Sequence, residues 1–134
     1  MDVKATVWSS PTGHEVVVAT EGKSQAIDVR AKPGARGSAV NGGEFLMLAL
    51  ATCYCNDLYR EAVRLGLQIE SVEVEARADF EGVGLAATNV RYRAWVSSPE
   101  SPAAIEELLR VTDAVAEVHN TLRAGVEVAR VAAD

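Results

Sequence analysis

The two cysteines of the chain, Cys53 and Cys55, lie two residues apart in the stretch ATCYCNDLYREA. The 3.6-residue periodicity around them predicts a helix, in which their side chains point about 200° apart around the axis. This arrangement does not allow a disulfide between them unless the helix unwinds. We therefore expect two free thiols with different surroundings.

The predicted helix extends from Glu44 to Leu65 and ends at Gly66. Its predicted apolar stripe consists of Glu44, Met47, Leu48, Ala51, Cys55, Leu58, Ala62 and Leu65. Cys55 continues this stripe, and we expect it to be a packed thiol. Cys53 lies on the opposite side, where an apolar surface gives way to polar residues. A thiol at such a boundary can be reached from a pocket and ionised by its neighbours, so we expect its pKa to be lowered.

Polar residues on the side opposite the stripe are Asn56, Asp57, Arg60 and Arg64. Tyr54 and Tyr59, which flank the thiols, are predicted to be packing residues rather than catalytic ones. The N-terminal half of the helix, FLMLALA at 45–51, is apolar on every side and needs cover on every side. One small sheet cannot surround it, so the sequence predicts an obligate homodimer with this half of the helix in its interface.

Alternating apolar and polar residues predict strands elsewhere in the chain, over residues 3–8, 14–21, 25–30, 68–80, 86–98 and 126–132. A second helix is predicted from Ser101 as N-cap and Pro102 to about Arg123, with room for a break. These patterns put strands both before and after the long helix. The 134 residues are expected to form a single domain, 1–134.

The overall charge and composition exclude several classes of function. A net charge of −6 disfavours nucleic acid and anionic membrane surfaces as partners. The N-terminus lacks the pattern of a signal peptide and no apolar run is long enough to span a membrane, so we expect a cytoplasmic protein. Two cysteines and two histidines without ligand spacing predict neither a metal site nor a bound cofactor.

The run NGGEFLMLALATCYCNDLYREAVRLGLQIESVEVEARADF, followed by another strand and a helix ending in LRAGVEV, resembles the OsmC/Ohr family. These are the osmotically inducible and organic hydroperoxide resistance proteins, and the resemblance covers nearly the whole chain. It implies a compact α+β protein with two small antiparallel sheets around a long central helix, in an intertwined homodimer. In active members a peroxidatic cysteine attacks the O–O bond of an organic hydroperoxide and becomes a sulfenic acid. A second cysteine then resolves it as a disulfide.

Only some of the family's functional residues have a counterpart at the matching position of this chain. Cys53 falls on the peroxidatic position. The resolving position falls on Ala116 in VAEVHNTL, so the resolving cysteine is absent. The turn SSPTGHE lacks the activating arginine of the peroxidases, and Arg30 and Arg36 are nearby alternatives. The chain therefore resembles a divergent member that lacks the resolving cysteine.

Two further residues are candidates for a catalytic role. The catalytic carboxylate position of the peroxidases is Gly43 here, and Glu44 follows one place later. His119, one helical turn beyond Ala116, could act on Cys53 as a base or a stabilising cation. The alternative for His119 is a packed core histidine. Cys55 could resolve Cys53 only after local unwinding.

Two functions remain open on the sequence. The first is a one-cysteine, thiol-dependent peroxidase, in which Cys53 reduces an organic hydroperoxide and an external thiol restores it, as in an oxidative stress response. The second is a non-catalytic dimer that binds a small apolar ligand in its interface pocket, with Cys53 as a wall residue. The retained Cys53 favours the first function, and the missing arginine and resolving cysteine favour the second.

Overall fold

The computed structural model describes residues 1–34 and 36–133 of the chain. Within these ranges the elements are three strands, a long helix, two further strands and two helices, in that order. The α+β class predicted from the sequence is confirmed. The chain divides into two compact units, Met1–Phe45 and Leu46 onward. The assignment of all 134 residues to one domain stays a prediction.

The first unit contains a three-stranded antiparallel sheet in the order β1-β2-β3. Its strands are β1 (Val3–Ser10), β2 (Gly13–Thr20) and β3 (Lys23–Ile27). The β2–β3 turn holds Glu21 and Gly22 at φ 49° and 78°. Positive φ at both turn residues gives a backbone twist that matches the twist of the strands, which stabilises a two-residue hairpin. The predicted meander is confirmed, with β3 ending at Ile27 rather than Arg30.

The long helix α1 (Gly42–Leu65) is capped at both its N-terminal and its C-terminal end. At its start the Asn41 side chain accepts a hydrogen bond from the Glu44 N–H (2.8 Å), and Glu44 Oε1 accepts one from the Asn41 N–H (3.1 Å). This reciprocal pair is a capping box. At its end Gly66 has φ 70°, and the Leu67 N–H reaches the Ala62 carbonyl at 2.8 Å. The left-handed glycine and this hydrogen bond terminate the helix.

The hairpin of the second unit is formed by β4 (Ser71–Asp79) and β5 (Thr88–Ser97). Exposure alternates along β4 and along β5 from Arg91 onward, as expected for a sheet with one face in the core and one in solvent. The inner face packs on the core through Val72, Val74, Tyr92, Ala94 and Val96. The predicted hairpin is therefore confirmed, with shorter strands than the sequence pattern indicated.

The predicted second helix is confirmed together with its break, as α2 (Pro102–Val115) and α3 (Glu117–Ala124). Ser101 caps α2 by accepting a hydrogen bond from the Ala104 N–H at 3.2 Å. Ala116 separates the two helices with an extended ψ of 105°. Two carbonyls that the break removes from helical pairing find side-chain donors. Asn120 donates to the Ala114 carbonyl (3.1 Å) and Arg123 to the Asp113 carbonyl (3.2 Å).

The predicted last strand, 126–132, is wrong, because residues 126–133 carry no strand in the structure. Val126, Val128 and Val131 are exposed. Alternation of apolar residues shows only that a segment could form a half-buried strand, and a strand also needs an edge to pair with. Neither β4 nor β5 pairs with this segment in the part of the chain that the structure describes.

The core of the second unit is built around α1, with Leu58 and Leu108 at its centre and no exposed surface on either. The buried residues of α1 are Leu50, Tyr54, Asp57, Leu58, Glu61 and Ala62. The predicted stripe is thus right for Leu58 and Ala62 and wrong for Leu48 and Leu65, which are exposed.

The buried face of α1 is rotated from the predicted stripe because the first half of the helix is apolar all round and does not define a unique face. Asp57, predicted on the exposed side, is only 5% exposed. Tyr54 is a core residue as predicted, whereas Tyr59 is exposed. No helix among the described residues combines the length and the hydrophobicity that crossing a membrane requires.

Candidate functional site

Cys53 lies half-buried on α1, against the core of the second unit. Its thiol donates toward Asp57 Oδ2 at 3.7 Å, one helical turn along α1. A second carboxylate comes from α3, where Glu117 Oε2 lies 3.8 Å from Cys53 Sγ. The thiol therefore lies between two carboxylates that are sixty residues apart in the sequence and that the fold brings together.

The first turn of α3 supplies a backbone N–H, whose effect on the pKa of the thiol is opposite to that of the carboxylates. The backbone N–H of Val118 lowers the pKa of the Cys53 thiol, as a donor directed at the sulfur does. Ala116, the N-cap of α3, makes no side-chain capping hydrogen bond, so the N–H groups of the first turn are not capped by that residue. The positive end of a helix and a donated N–H both favour a thiolate.

The balance of these influences disfavours the thiolate. Burial raises the pKa of the Cys53 thiol, and the negative charges of Asp57 and Glu117 raise it further, against the lowering by the Val118 N–H. The expected lowering of the Cys53 pKa is thus contradicted. The sequence placed Asp57 in solvent, where its charge would be screened, and did not place Glu117 beside the thiol at all.

Asp57 and Glu117 act as a pair. Burial raises the pKa of Asp57, and the charge of Glu117 raises it further. The Glu117 pKa is lowered, first by a hydrogen bond from its own backbone N–H and then by Arg60. Arg60 NH1 lies 2.8 Å from Asp57 Oδ1 and 3.8 Å from Glu117 Oε1. Asp57 is therefore the member of the pair that takes up a proton first.

Sulfur and carboxylate oxygens of the same cluster could hold a metal ion. One ligand atom from each of Cys53, Asp57 and Glu117 lies within 4.8 Å of the others. The combination of a thiolate with carboxylates is one that zinc accepts. Both carboxylates are already paired with the Arg60 guanidinium, however, so a cation would have to displace that side chain. The three groups have no sequence spacing that predicts a metal site.

The residues that the family resemblance suggested for functional roles lie in different parts of the structure. Ala116 is fully buried in the core cluster against which Cys53 packs. Cys55 is a free, half-buried thiol on the same unbroken helix as Cys53, which leaves the two pointing apart. Glu44 lies in the first unit, where the structure shows it as the capping residue of α1. Its catalytic role stays a prediction.

His119 lies on α3 in an aromatic cluster rather than in hydrogen-bond contact with the thiol. Its ring centroid is 4.5 Å from that of Tyr92 and 5.8 Å from that of Tyr54, and the two tyrosine centroids are 4.6 Å apart. The side chain is buried, and neither ring nitrogen has a hydrogen-bond partner among the described residues. Burial lowers the His119 pKa, with a further contribution from Arg123. The neutral ring does not supply the cation that the sequence suggested.

A cavity of about 220 Å³ lies beside this cluster in the second unit. Its lining is mostly apolar and comprises Leu50, Val90, Tyr92, His119, Leu122 and Arg123. Cys53 is not among the lining residues, so the expectation that it forms a wall of the ligand pocket does not hold for this cavity. Arg123 is held in place by Asp113, at 2.7 Å between NH2 and Oδ1.

Sequence reasoning placed Asp57 among the polar residues near Cys53 but missed its burial, and it missed Glu117 and the Val118 N–H as neighbours of the thiol. The spacing of four residues from Cys53 to Asp57 brings the two together, because residues i and i+4 meet on one helix face. Glu117 directly follows Ala116, the position matched to the resolving cysteine, and could have been found from that neighbour. The backbone donor has no side-chain signal.

Comparison with known proteins identifies relatives of this site and fold. A family model described as OsmC-like protein matches residues 35–130. A search of curated proteins found no match. An OsmC-like protein of Mycoplasma pneumoniae has a similar solved structure, with a TM-score of 0.62, 20% identity, and coverage of 92% of this chain and 89% of that one.

Two further solved structures show the same fold. An organic hydroperoxide resistance protein OsmC from Legionella pneumophila has a TM-score of 0.61 and 14% identity, covering 92% of this chain and 90% of that one. An OsmC-like hydroperoxide resistance protein from Jannaschia sp. has a TM-score of 0.55 and 17% identity, covering 96% and 86%. At these identities the similarity shows the fold alone.

Proposed function

The chain belongs to the OsmC-like family, and on that premise we propose that it is a one-cysteine, thiol-dependent peroxidase that reduces organic hydroperoxides through Cys53. The observation that carries the proposal is the surroundings of one half-buried sulfur. Two carboxylates lie 3.7 and 3.8 Å from it, and the Val118 N–H, in the first turn of a helix, lowers its pKa. These are a proton acceptor and an anion stabiliser, the two aids that a thiol nucleophile needs.

The carboxylates give the thiol proton a short path. The Cys53 S–H bond breaks toward Asp57, whose raised pKa makes it the better proton acceptor of the pair. The sulfur then attacks the terminal, hydroxyl-bearing oxygen of the peroxide, the O–O bond breaks, and the proton held by Asp57 passes to the departing alkoxide. The products are a Cys53 sulfenic acid and an alcohol, so that atoms and electrons balance.

Regeneration requires a thiol from outside the chain, because Ala116 stands at the resolving position. A small-molecule or protein thiol attacks the sulfenic sulfur and releases water, which leaves a mixed disulfide at Cys53. A second equivalent of thiol releases Cys53 as the free thiol and departs as a disulfide. Cys55 does not replace the missing residue, since it lies on another face of an unbroken helix.

The proposal is tested by the turnover of cumene hydroperoxide with a dithiol reductant, measured from pH 6 to pH 10. We expect turnover to be lost in Cys53→Ser and kept in Cys55→Ser, which is the matched control two residues away. Because burial and two carboxylates raise the Cys53 pKa, the rate is expected to rise with pH through the alkaline range.

Two outcomes would contradict this function. Equal rates in the two serine variants would show that Cys53 is not the nucleophile. A pH profile already flat at pH 7 would show that the reacting group is a low-pKa thiol, which is incompatible with the carboxylates beside Cys53.

A second candidate function is the binding of a small apolar ligand without catalysis. It is supported by the cavity of about 220 Å³ beside His119, whose lining does not include Cys53. The raised pKa of Cys53 supports it as well, because a thiol held protonated is a weak nucleophile. Either function would use the same fold, and the serine variants described above separate them.

We also propose that the protein is a homodimer. Leu48 on α1 is 56% exposed, and Val63 and Leu65 are exposed as well, in agreement with an apolar helix that needs further cover. The expected result is a dimer in sedimentation equilibrium at low micromolar concentration, with a melting temperature that falls on dilution. A monomer at that concentration, with a melting temperature independent of dilution, would contradict it.

A further inference from the structure

We propose that the cavity beside α3 binds an uncharged small molecule that has an apolar body and a single hydroxyl group, and that His119 recognises the hydroxyl. The inference rests on the second proposed function, ligand binding, and specifies the ligand chemistry. It is carried by one buried polar side chain that lines a largely apolar cavity and has no hydrogen-bond partner among the described residues.

The unpaired state of His119 is the main observation. Its side chain is 3% exposed, and both Nδ1 and Nε2 lack a hydrogen-bond partner within the described residues. A buried polar group without a partner costs about 1 to 3 kcal/mol, and such groups are rare enough in native proteins to need an explanation. A ligand that supplies the missing hydrogen bond removes this cost.

The neutral form of the ring fits a hydroxyl group. A neutral imidazole has one nitrogen that donates and one that accepts, and a hydroxyl can also do either. Both nitrogens are shielded from solvent. The χ2 torsion of histidine has a broad energy minimum, so that a modest turn of the ring can direct one nitrogen into the cavity.

The charges around the cavity disfavour an ionised ligand. Arg123 is the cationic lining residue, and its guanidinium already donates to the Asp113 carboxylate (2.7 Å), the Asp113 carbonyl (3.2 Å) and Asn120 (3.1 Å). The Tyr92 hydroxyl also donates to Asp113. The charge of Arg123 is already compensated by Asp113. An ion pair with Arg123 would therefore offset little of the free energy that a ligand carboxylate loses when it leaves water. An uncharged ligand has no such loss.

The volume limits the size of the ligand. At about 30 Å³ for each water-sized group, a cavity of about 220 Å³ accommodates about seven or eight non-hydrogen atoms. A monocyclic phenol or an alcohol of six or seven carbons has this size. The lining side chains of Leu50, Val90 and Leu122 are suited to the apolar body.

The experiment uses three probes of similar shape and the full-length chain at pH 7.5, with binding measured by chemical-shift perturbation. The probes are 4-methylphenol, toluene and 4-methylbenzoate, which have a hydroxyl, a hydrogen and a carboxylate at the same position. We expect 4-methylphenol to bind at least about fivefold more tightly than toluene, in line with one net hydrogen bond. We expect no binding of 4-methylbenzoate.

Two variants assign the preference to residues. His119→Phe keeps an aromatic ring and removes both nitrogens, so that the affinity for 4-methylphenol should fall to that for toluene, while toluene binds as before. Leu122→Trp should fill the cavity and abolish the binding of both probes. Leu85→Trp is the matched control, since Leu85 is exposed and does not line this cavity.

The outcomes distinguish a failure of hydroxyl recognition by His119 from a failure of ligand binding as such. Equal binding of 4-methylphenol and toluene, or a preference that survives in His119→Phe, overturns the role of His119 and leaves ligand binding intact. Absence of binding by both probes overturns ligand binding as well. The Cys53→Ser variant should bind as the natural chain does, which keeps this test independent of peroxidase activity.

Discussion

The buried polar groups on the two sides of the short helix α3 differ in whether they have polar partners. On the side of Glu117, the Cys53 thiol lies between two carboxylates that are paired with Arg60, and the Val118 N–H lowers the pKa of the thiol. On the side of His119, the imidazole lies among tyrosine rings and has no hydrogen-bond partner in the described chain. The first side contains an excess of acceptors, and the second contains polar atoms without partners.

The difference shows that the two sides are suited to different tasks. A thiol among carboxylates has a proton acceptor at hand, but its thiolate is opposed by their charge, so that reactivity depends on where the shared proton lies. A neutral histidine in an apolar wall offers selectivity for a hydrogen-bonding group at the expense of stability. Proton transfer is thus favoured on one side and recognition of an uncharged molecule on the other.

The largest effect is expected from removing the residue that supports both sides. Tyr54 is adjacent to Cys53, contacts the rings of Tyr92 and His119, and donates a hydrogen bond to the Leu109 carbonyl at 2.7 Å. Tyr54→Ala should lower the free energy of unfolding by about 3 to 5 kcal/mol, because a large core side chain is lost.

The matched control is Tyr54→Phe, which keeps the ring and should cost about 1 kcal/mol for the lost hydrogen bond. Urea unfolding of the two variants gives both values. A similar cost for both would mean that the hydroxyl rather than ring packing supports the two sides, and the comparison would have to be revised.

A smaller effect is expected from neutralising the carboxylates on the Cys53 side. In the double variant Asp57→Asn/Glu117→Gln the Cys53 pKa should fall, because two nearby negative charges are removed. Alkylation of Cys53 by iodoacetamide at pH 7.5 should become roughly tenfold faster, with the Cys55 peptide as internal standard in mass spectrometry. Peroxide turnover should fall nevertheless, since the proton donor to the alkoxide is lost.

Glu61→Gln is the control for this pair of substitutions. Glu61 is another buried carboxylate of α1 that pairs with Arg64 at 3.0 Å and with Arg60 at 3.6 Å, and among the described residues it makes no hydrogen bond with the thiol. Unchanged alkylation in the double variant would mean that the two carboxylates do not set the reactivity of Cys53.

The smallest effect is a change in the pH dependence of stability on the His119 side. Burial lowers the His119 pKa, and the neighbouring ionisable groups are Asp113, Arg123 and the two tyrosines. The folded chain therefore binds fewer protons here than the unfolded chain, so the contribution to stability is complete above the unfolded pKa of about 6.5. It is lost as the pH falls below that value, by at most about 1.4 kcal/mol per pH unit.

The measurement compares the natural chain with His119→Phe by urea unfolding between pH 7.5 and pH 5. The difference in unfolding free energy between the two proteins should shift in favour of the phenylalanine variant as the pH falls. A difference that stays constant over this range would show that His119 is already protonated or that the unfolded state shields it.

Sequence reasoning succeeded where the local pattern has one solution. The end of α1 at Gly66, the alternation of β4 and most of β5, and the Ser101-Pro102 start of α2 are local signals, and each was found in place. The break before α3 was anticipated without its position. The phase of α1 could not be read from FLMLALA, since a segment that is apolar all round fits several orientations against a sheet.

The candidate site was harder to predict than the fold. The exposure of Cys53 to polar groups followed from its place on α1, but the sign of their effect did not, because it depends on the burial of Asp57 and on Glu117 arriving from another helix. The isolation of His119 depends on the packing of Tyr54 and Tyr92, which sequence periodicity does not specify. Contacts between distant segments thus limited the prediction.

The break at Ala116 makes the surroundings of the Cys53 sulfur partly independent of side-chain identity. In an uninterrupted helix the Val118 N–H would bond to the Ala114 carbonyl, and here that carbonyl accepts from Asn120 instead. The freed amide is then available to the sulfur. Alanine scanning would leave this backbone donor in place at every position. The type of residue at position 118 does not reveal the donor either, because every residue except proline has a backbone N–H. Its chemical removal requires an amide-to-ester exchange in the backbone, or a proline at position 118.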